Sequence, residues 1–227
     1  MLQDNVFTRS EGDRWFERNR KALNRFDAEA DLPLKLLDLY ELRPERVLEI
    51  GAANGFRLAA IHARTGAAVV AVEPSTEAIL NGKASFHSVT FVRGTATSVP
   101  LKESYGLVIV NFVFHWIDRA NLFRAVAEVD RLVRDDGYLL IGDFHPSNQL
   151  QVRYHHLMEE QLFTYKQNYA ATFLASGLYH PVALLTGHHL GKKPDPAVAE
   201  VDRIGTWLLR KQTGVHYVKA EMHENAR

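Results

Sequence analysis

From Val47 to Gly55 the chain reads VLEIGAANG, an apolar run that gives way to small residues and is followed at once by a helix-forming stretch. Small side chains at Gly51, Ala52, Ala53 and Gly55 let the backbone turn tightly and approach a ligand, and the first turn of the helix offers N–H groups without internal partners. Glu73 lies 22 residues after Gly51, at the end of the next apolar run. A carboxylate there can accept both hydroxyls of a ribose, so these residues predict a nucleoside site. Farther along, LVIVNFVFHWID from Leu107 to Asp118 carries Asn111, Phe112, Phe114, His115 and Trp116 past another apolar run, and Asp143 and His145 close a later one. Ligands of open α/β sheets sit at the carboxyl ends of the strands. His115 is therefore the first candidate for a general base, with Asp143 and His145 the second option. The other role open to His115 is structural, orienting the backbone beside Trp116.

Those positions need a frame. Strands are expected at Arg46 to Ile50, Ala68 to Val72, Val89 to Val92, Leu107 to Phe112 and Tyr138 to Phe144, with helices at Phe56 to Thr65, Thr76 to Asn81 and Asp118 to Val133. Strands that alternate with helices imply a mostly parallel sheet covered on both faces. Before this core, residues 11 to 29 and Leu32 to Tyr40 suit amphipathic helices. After it, a helix is expected near Tyr169 to Ser176. Val182 to His189 and Arg203 to Lys211 then read as strands joined by GKKPDP with no helix between them. An antiparallel pair is the economical way to join such strands. The expected fold class is α/β: a seven-stranded, mostly parallel sheet with a terminal antiparallel strand pair and helices on both faces.

VLEIGAANG resembles the first motif of class I S-adenosylmethionine (SAM)-dependent methyltransferases, and the likeness runs in order from about residue 46 to 144. The resemblance implies SAM as cofactor and S-adenosylhomocysteine as product. It places Glu49 where it orders the loop around the aminoacyl part of SAM, with Gly51, Ala52 and Ala53 along the methionine end. Glu73 would hold the ribose and Pro74 would lie against adenine. In GTAT from Gly94 to Thr97, Thr95 stands where the family often has an Asp that reads the adenine amino group, and its hydroxyl or the Ala96 backbone would substitute. The segment after Leu107 resembles the family's fourth motif, which puts Asn111, Phe112, Phe114, His115 and Trp116 around the methyl group. The N-terminal EGDRWFERN also resembles small methyltransferases of sugar and polyketide modification, in which Arg14 or Asn19 would contact SAM or substrate. A solvated helix anchored by Trp15 and Phe16 is the alternative. Tyr165, Lys166 and Tyr169, in a segment where the family inserts substrate-binding elements, would line the acceptor pocket or else bury the insertion against the core.

Methyl transfer needs alignment more than elaborate acid–base machinery. The acceptor is expected to be a small molecule, with a hydroxyl or amine of a metabolite such as a sugar preferred. Lys and Arg number 27, as do Asp and Glu, so net charge gives no attraction to nucleic acid or to a membrane surface. The absence of cysteine leaves no disulfide or thiolate metal site, and no apolar leader opens the chain, so a cytoplasmic monomer or homodimer is expected. No metal is expected. His155-His156 and His188-His189 are adjacent pairs, and neighbouring residues on a strand or helix point apart. One domain over 1–227 is the simplest division: a helical cap (1–43), a cofactor-binding core (44–146), a substrate-side insertion with the strand pair (147–218) and a tail (219–227). Two other functions stay open. A nicotinamide-dependent oxidoreductase is opposed by Ala53 and Phe56, which break the G-x-G-x-x-G spacing, and a non-catalytic SAM binder would look the same in sequence.

Overall fold

The computed structural model describes residues 3–157, 159–189, 191, 194, 195, 197–215 and 217. The expected tail and Lys192, Lys193 and Pro196 of the GKKPDP connection lie outside the described residues. The chain opens with α1 (Gln3–Val6), a π-helical turn (Phe7–Glu11) and α2 (Gly12–Leu23), so one helix expected over 11 to 29 is a longer, broken one that ends earlier. After α3 (Leu32–Leu39) come β1 (Arg46–Ile50), α4 (Phe56–Thr65), β2 (Ala68–Glu73), α5 (Thr76–Ser85), β3 (Val89–Arg93) and β4 (Tyr105–Asn111). Then follow α6 (Leu122–Leu132), β5 (Val133–Phe144), the hairpin β6 (Leu150–Arg153) and β7 (Phe163–Lys166), α7 (Ala170–Ala175), β8 (Tyr179–His188) and β9 (Arg203–Lys211).

The main sheet has the order β3-β2-β1-β4-β5-β9-β8. Strands β1 to β5 pair in parallel, and β9 runs antiparallel to both β5 and β8, as expected for two strands joined by a short connection. Successive side chains of a strand face opposite sides. Leu48, Ile50, Val108, Val110, Leu139 and Ile141 accordingly pack with Ala125 and Val129 of α6 and Phe173 of α7. Val47, Val69, Ala71, Leu107, Ile109 and Leu140 pack with Leu34 and Leu37 of α3 and Leu58 and Ile61 of α4 on the other face. Each fully buried Leu or Ile contributes roughly 1.5–3 kcal/mol, so these two layers fix the sheet.

Several boundaries moved for local reasons. Asp118 caps a short 3-10 turn (Arg119–Asn121) by accepting from the Ala120 N–H, so α6 starts later than expected. β5 begins at Val133, and a register shift between Tyr105 and Leu107 lets its first residues join β4 before Asp136, which has φ 63°, turns the chain. The β6–β7 hairpin lies in the segment read as a substrate-side insertion and is not among the expected strands. Beyond β8, Asp195 donates its N–H to the Thr186 carbonyl at 2.8 Å, so the connection folds back over the strand. Among the described residues no helix is long and apolar enough to cross a membrane.

Candidate active site

The sheet reverses its order between β1 and β4, and a cavity of about 400 Å³ opens at the carboxyl ends of the strands there. Its floor is the loop after β1. Gly51 has φ 73°, and a Cβ on it would stand 2.4 Å from Val113 Cγ2, so both conformation and space demand glycine. Ala53 (φ 49°) and Phe112 (φ 56°) are two of the four non-glycine residues with positive φ among the described residues, and both line the cavity. Backbone strain concentrated at a pocket is a mark of function.

Glu73 closes β2 and joins this loop. Its Oε2 accepts from the Ala53 N–H at 2.8 Å and its Oε1 from the Ser75 N–H at 2.9 Å. Each oxygen retains capacity for another donor. Burial pushes the Glu73 carboxyl up to about 7, with the Ser75 and Ala53 N–H groups pulling against it. Glu49, on β1, is buried and held by Arg57, the second residue of α4, which also makes a forked contact to Asp31 with distances of 3.0 to 3.1 Å. Burial raises Glu49 to about 7, and the Arg57 charge opposes that rise. Glu49 Oε2 is buried and has no hydrogen-bond partner.

Pro74, Thr95, Ala96 and Thr97 line the wall beside Glu73, with the Thr95 and Thr97 hydroxyls 3.1 Å apart. Asn111, Phe112 and Trp116 line the side toward β4, together with Val113 and Ile117. The roof comes from the N-terminal segment through Asp4, Phe7, Thr8, Gly12 and Trp15. Phe7 stacks on Trp116 at 4.9 Å, and Trp15 meets the same indole edge-on at 6.0 Å. Gln3 and Glu11 hold the roof down. Gln3 donates to the Trp116 and Phe163 carbonyls and accepts from the Phe163 N–H, while buried Glu11 takes Arg18 and the Tyr154 hydroxyl.

Other expected site residues stand outside this wall. Arg14 is exposed, turned away on the outer face of α2, whereas Trp15 beside it lines the cavity. Asn19 donates its side-chain N–H to the Trp15 carbonyl at 2.8 Å. Phe114 is fully buried and stacks on Tyr169 at 5.3 Å. His115 and Asp143 form a buried pair, Nδ1 to Oδ1 at 2.9 Å, behind Trp116 and Phe112. His145 packs edge-on against Trp207 at 5.8 Å, and burial followed by the Arg203 charge lowers its pKa. Tyr165 packs under the Arg119 guanidinium, Lys166 donates to the Val201 carbonyl at 2.7 Å, and the Tyr169 hydroxyl bonds the Tyr165 carbonyl. None of the three is in the cavity lining.

Sequence reading missed Arg57 and Asp31, and within the expected helical cap it missed which residues line the cavity. Arg57 carried a signal, since a cation in the first turn of a helix opposes the dipole and calls for an acidic partner. Asp31 did too, as an Asp before Leu-Pro is a helix cap, and it accepts from the Leu34 N–H. The expectation that adjacent histidines diverge also fails. His188 and His189 stack with ring centres 4.8 Å apart, and His155 and His156 approach to 3.9 Å, because His189 lies past the end of β8 and His155-His156 lie in a turn, where strand alternation does not apply.

Residues 48–141 match the methyltransferase domain family. This segment is therefore similar to methyltransferase domains. An uncharacterized methyltransferase of Mycobacterium tuberculosis is 37% identical over 95 residues, covering 41% of the chain, and one of Synechocystis is 29% identical over 108 residues, covering 47% of the chain and 50% of that protein. The match spans 37% of the mycobacterial protein's length. Around the matched segment the whole fold is shared with a Burkholderia thailandensis 1,6-didemethyltoxoflavin N1-methyltransferase solved with its acceptor and S-adenosylhomocysteine. The two align with a TM-score of 0.70 and 16% identity, over 93% of this chain and 91% of that one. The N-methyltransferase NodS of Bradyrhizobium japonicum, solved with S-adenosylhomocysteine, aligns with a TM-score of 0.56 and 14% identity over 86% of this chain and 87% of that one.

Proposed function

We propose that the protein transfers a methyl group from SAM to a nitrogen or oxygen of a flat small molecule. The observation that carries this reading is a pair of buried carboxylates at neighbouring strand ends: Glu73, with acceptor capacity on both oxygens, and Glu49, with Oε2 left unpartnered. A ligand bearing ribose hydroxyls at one point and an ammonium at another supplies the donors both lack, and the solved relatives bind such a ligand. Glu73 would hold the ribose, Pro74 and the Thr95–Ala96 backbone would border adenine, and Glu49 would face the amino group along the Gly51–Ala53 turn. Ala52, Asn111 and Phe112 would enclose the middle of the ligand.

When bound, SAM supplies a methyl group already activated on a sulfonium, so the chain's own task is alignment and exclusion of water. Trp116, Phe7, Trp15 and Phe112 form the wall that would orient the acceptor. A planar acceptor suits these faces better than a sugar, whose many hydroxyls would need more polar partners than this wall offers. His115, held by Asp143, lies behind Trp116 and acts as a positioning residue for it, with ring centres 4.4 Å apart. His145 supports β9 from outside the wall. A reaction fed by SAM fits a cytoplasmic setting.

Calorimetry with SAM, S-adenosylhomocysteine and NAD tests the cofactor, and binding of NAD in place of SAM would overturn the reading. Radiolabelled SAM offered with planar N-heterocycles, phenols and sugars then tests the acceptor. Label passing to sugars alone would refute the flat acceptor, and SAM binding with no transfer to any acceptor in a metabolite extract would mark a silent binder.

A further inference from the structure

We infer that His188, His189 and Asp202 form a binding site for a divalent transition-metal ion, zinc being the ion that this donor set suits, at the end of the cavity away from Glu73. One ligand atom from each residue lies within 4.8 Å of the others. His188 Nε2 stands 3.7 Å from one Asp202 oxygen and His189 Nδ1 stands 3.5 Å from the other. A tetrahedral zinc with bonds of about 2.0–2.2 Å sets its ligand atoms roughly 3.4 Å apart, so small side-chain rotations bring all three onto one ion.

The frame that presents them is fixed. His188 ends β8 in register with Arg203 of β9, and the His189 N–H donates to the Asp202 carbonyl at 3.1 Å. Backbone bonding therefore sets the spacing of the two segments and holds the three side chains near one another. His189 Nδ1 is buried without a hydrogen-bond partner, an expensive state that a metal bond would relieve. The nearby Lys166 ammonium does not claim the carboxylate, since it bonds the Val201 carbonyl and lies 4.0 Å over the Phe144 ring.

Two imidazoles and one carboxylate are the donors of reactive zinc sites, which keep a fourth position for water or substrate. His189 lines the cavity together with Ile204 and Thr206 of β9, whereas Glu73 lies across β1, β4 and β5 in the sheet order. The ion would thus stand at the acceptor end, where its open position would take an anionic or lone-pair oxygen or nitrogen of the acceptor. This site does not depend on SAM, so it stands or falls apart from the methyl-transfer reading.

The test is equilibrium dialysis of the whole protein against Zn²⁺ with metal analysis, and the absorption spectrum of the Co²⁺-loaded protein. One zinc per chain is expected, with affinity falling roughly tenfold or more in His189→Ala and in Asp202→Asn and unchanged in His155→Ala. The cobalt form should show the intense visible bands of a four-coordinate ion. Failure of the wild-type protein to retain zinc, retention equal in the His189→Ala and Asp202→Asn variants, or loss only in His155→Ala would overturn the site. If a variant fails to fold, the cobalt spectrum of the wild type decides, and the weak bands of a six-coordinate aqua ion would reject it.

Discussion

The Ala53 N–H donates to Glu73 at 2.8 Å and so ties the turn after β1 to the end of β2. With the Ser75 N–H on the other oxygen, the side chain satisfies two donors, which a carboxylate can do and an amide cannot. Glu73→Gln should therefore lower stability by about 1–3 kcal/mol, because one backbone N–H then faces an NH₂ group. Urea unfolding reads the stability, and calorimetry should show SAM binding weakened at least roughly tenfold, the lower end expected for a lost charged hydrogen bond. Undiminished affinity in the folded variant would remove Glu73 from the ribose.

The same group makes stability depend on pH. Its carboxyl ionises near 4.5 when exposed in the unfolded chain but near 7 when folded. Between those values the unfolded state sheds its proton first, so this group's contribution to stability falls as pH rises from about 4.5 to about 7. Glu49 acts in the same direction over the same window. The difference between wild type and Glu73→Gln isolates Glu73, and the variant should lose stability less steeply across the window. SAM affinity should move the opposite way in the wild type, tightening as pH passes about 7, because ribose hydroxyls donate best to the ionised form. Parallel stability curves for the two proteins would contradict the assignment.

Arg57 neutralises two carboxylates at once, the buried Glu49 and the largely covered Asp31. Replacing it with Met keeps much of the volume and leaves both acids without a cation, a loss of about 3–5 kcal/mol for a broken buried pair. The variant should recover part of this loss on acidification, since protonation discharges the stranded acids. Denaturant titrations at neutral and mildly acidic pH check both points, and a loss under about 1 kcal/mol would show the triad to be marginal.

Much of the core was legible because its strands are buried on both faces and bounded by turn residues. Arg46–Ile50, Phe56–Thr65 and Arg203–Lys211 fall at their expected limits. The β6–β7 hairpin was not legible, since LQVR and FTYK lack a two-residue turn and one edge is held by Gln3, more than 140 residues away in sequence. In the site, small residues and acids at strand ends could be read from their spacing. Aromatic residues could not: Trp116 lines the cavity while Phe114, two residues earlier, fills the core, and sequence marks both only as apolar and large. The roof depends on which side of α2 faces inward, so Trp15 reaches the cavity and Arg14 does not.

His115 offers a test of positioning against scaffolding. His115→Ala strips Asp143 of its 2.9 Å partner and leaves a gap behind Trp116. Turnover should fall by up to about a hundredfold, the penalty for misplacing a wall by an ångström, while SAM affinity stays within about twofold. His115→Asn, whose amide N–H can reach toward Asp143, should restore part of the rate. Equal rates for the wild type and the Ala variant would leave His115 with a purely architectural part, as would no gain from Asn.

The grip of Gln3 on the Phe163 backbone and of Glu11 on Tyr154 joins the first turns of the chain to a hairpin far along it. Neither Gln3 nor Glu11 is part of the cavity lining, yet both fasten the segment that covers it, so the cover of the cavity is set by side chains that stand apart from its wall.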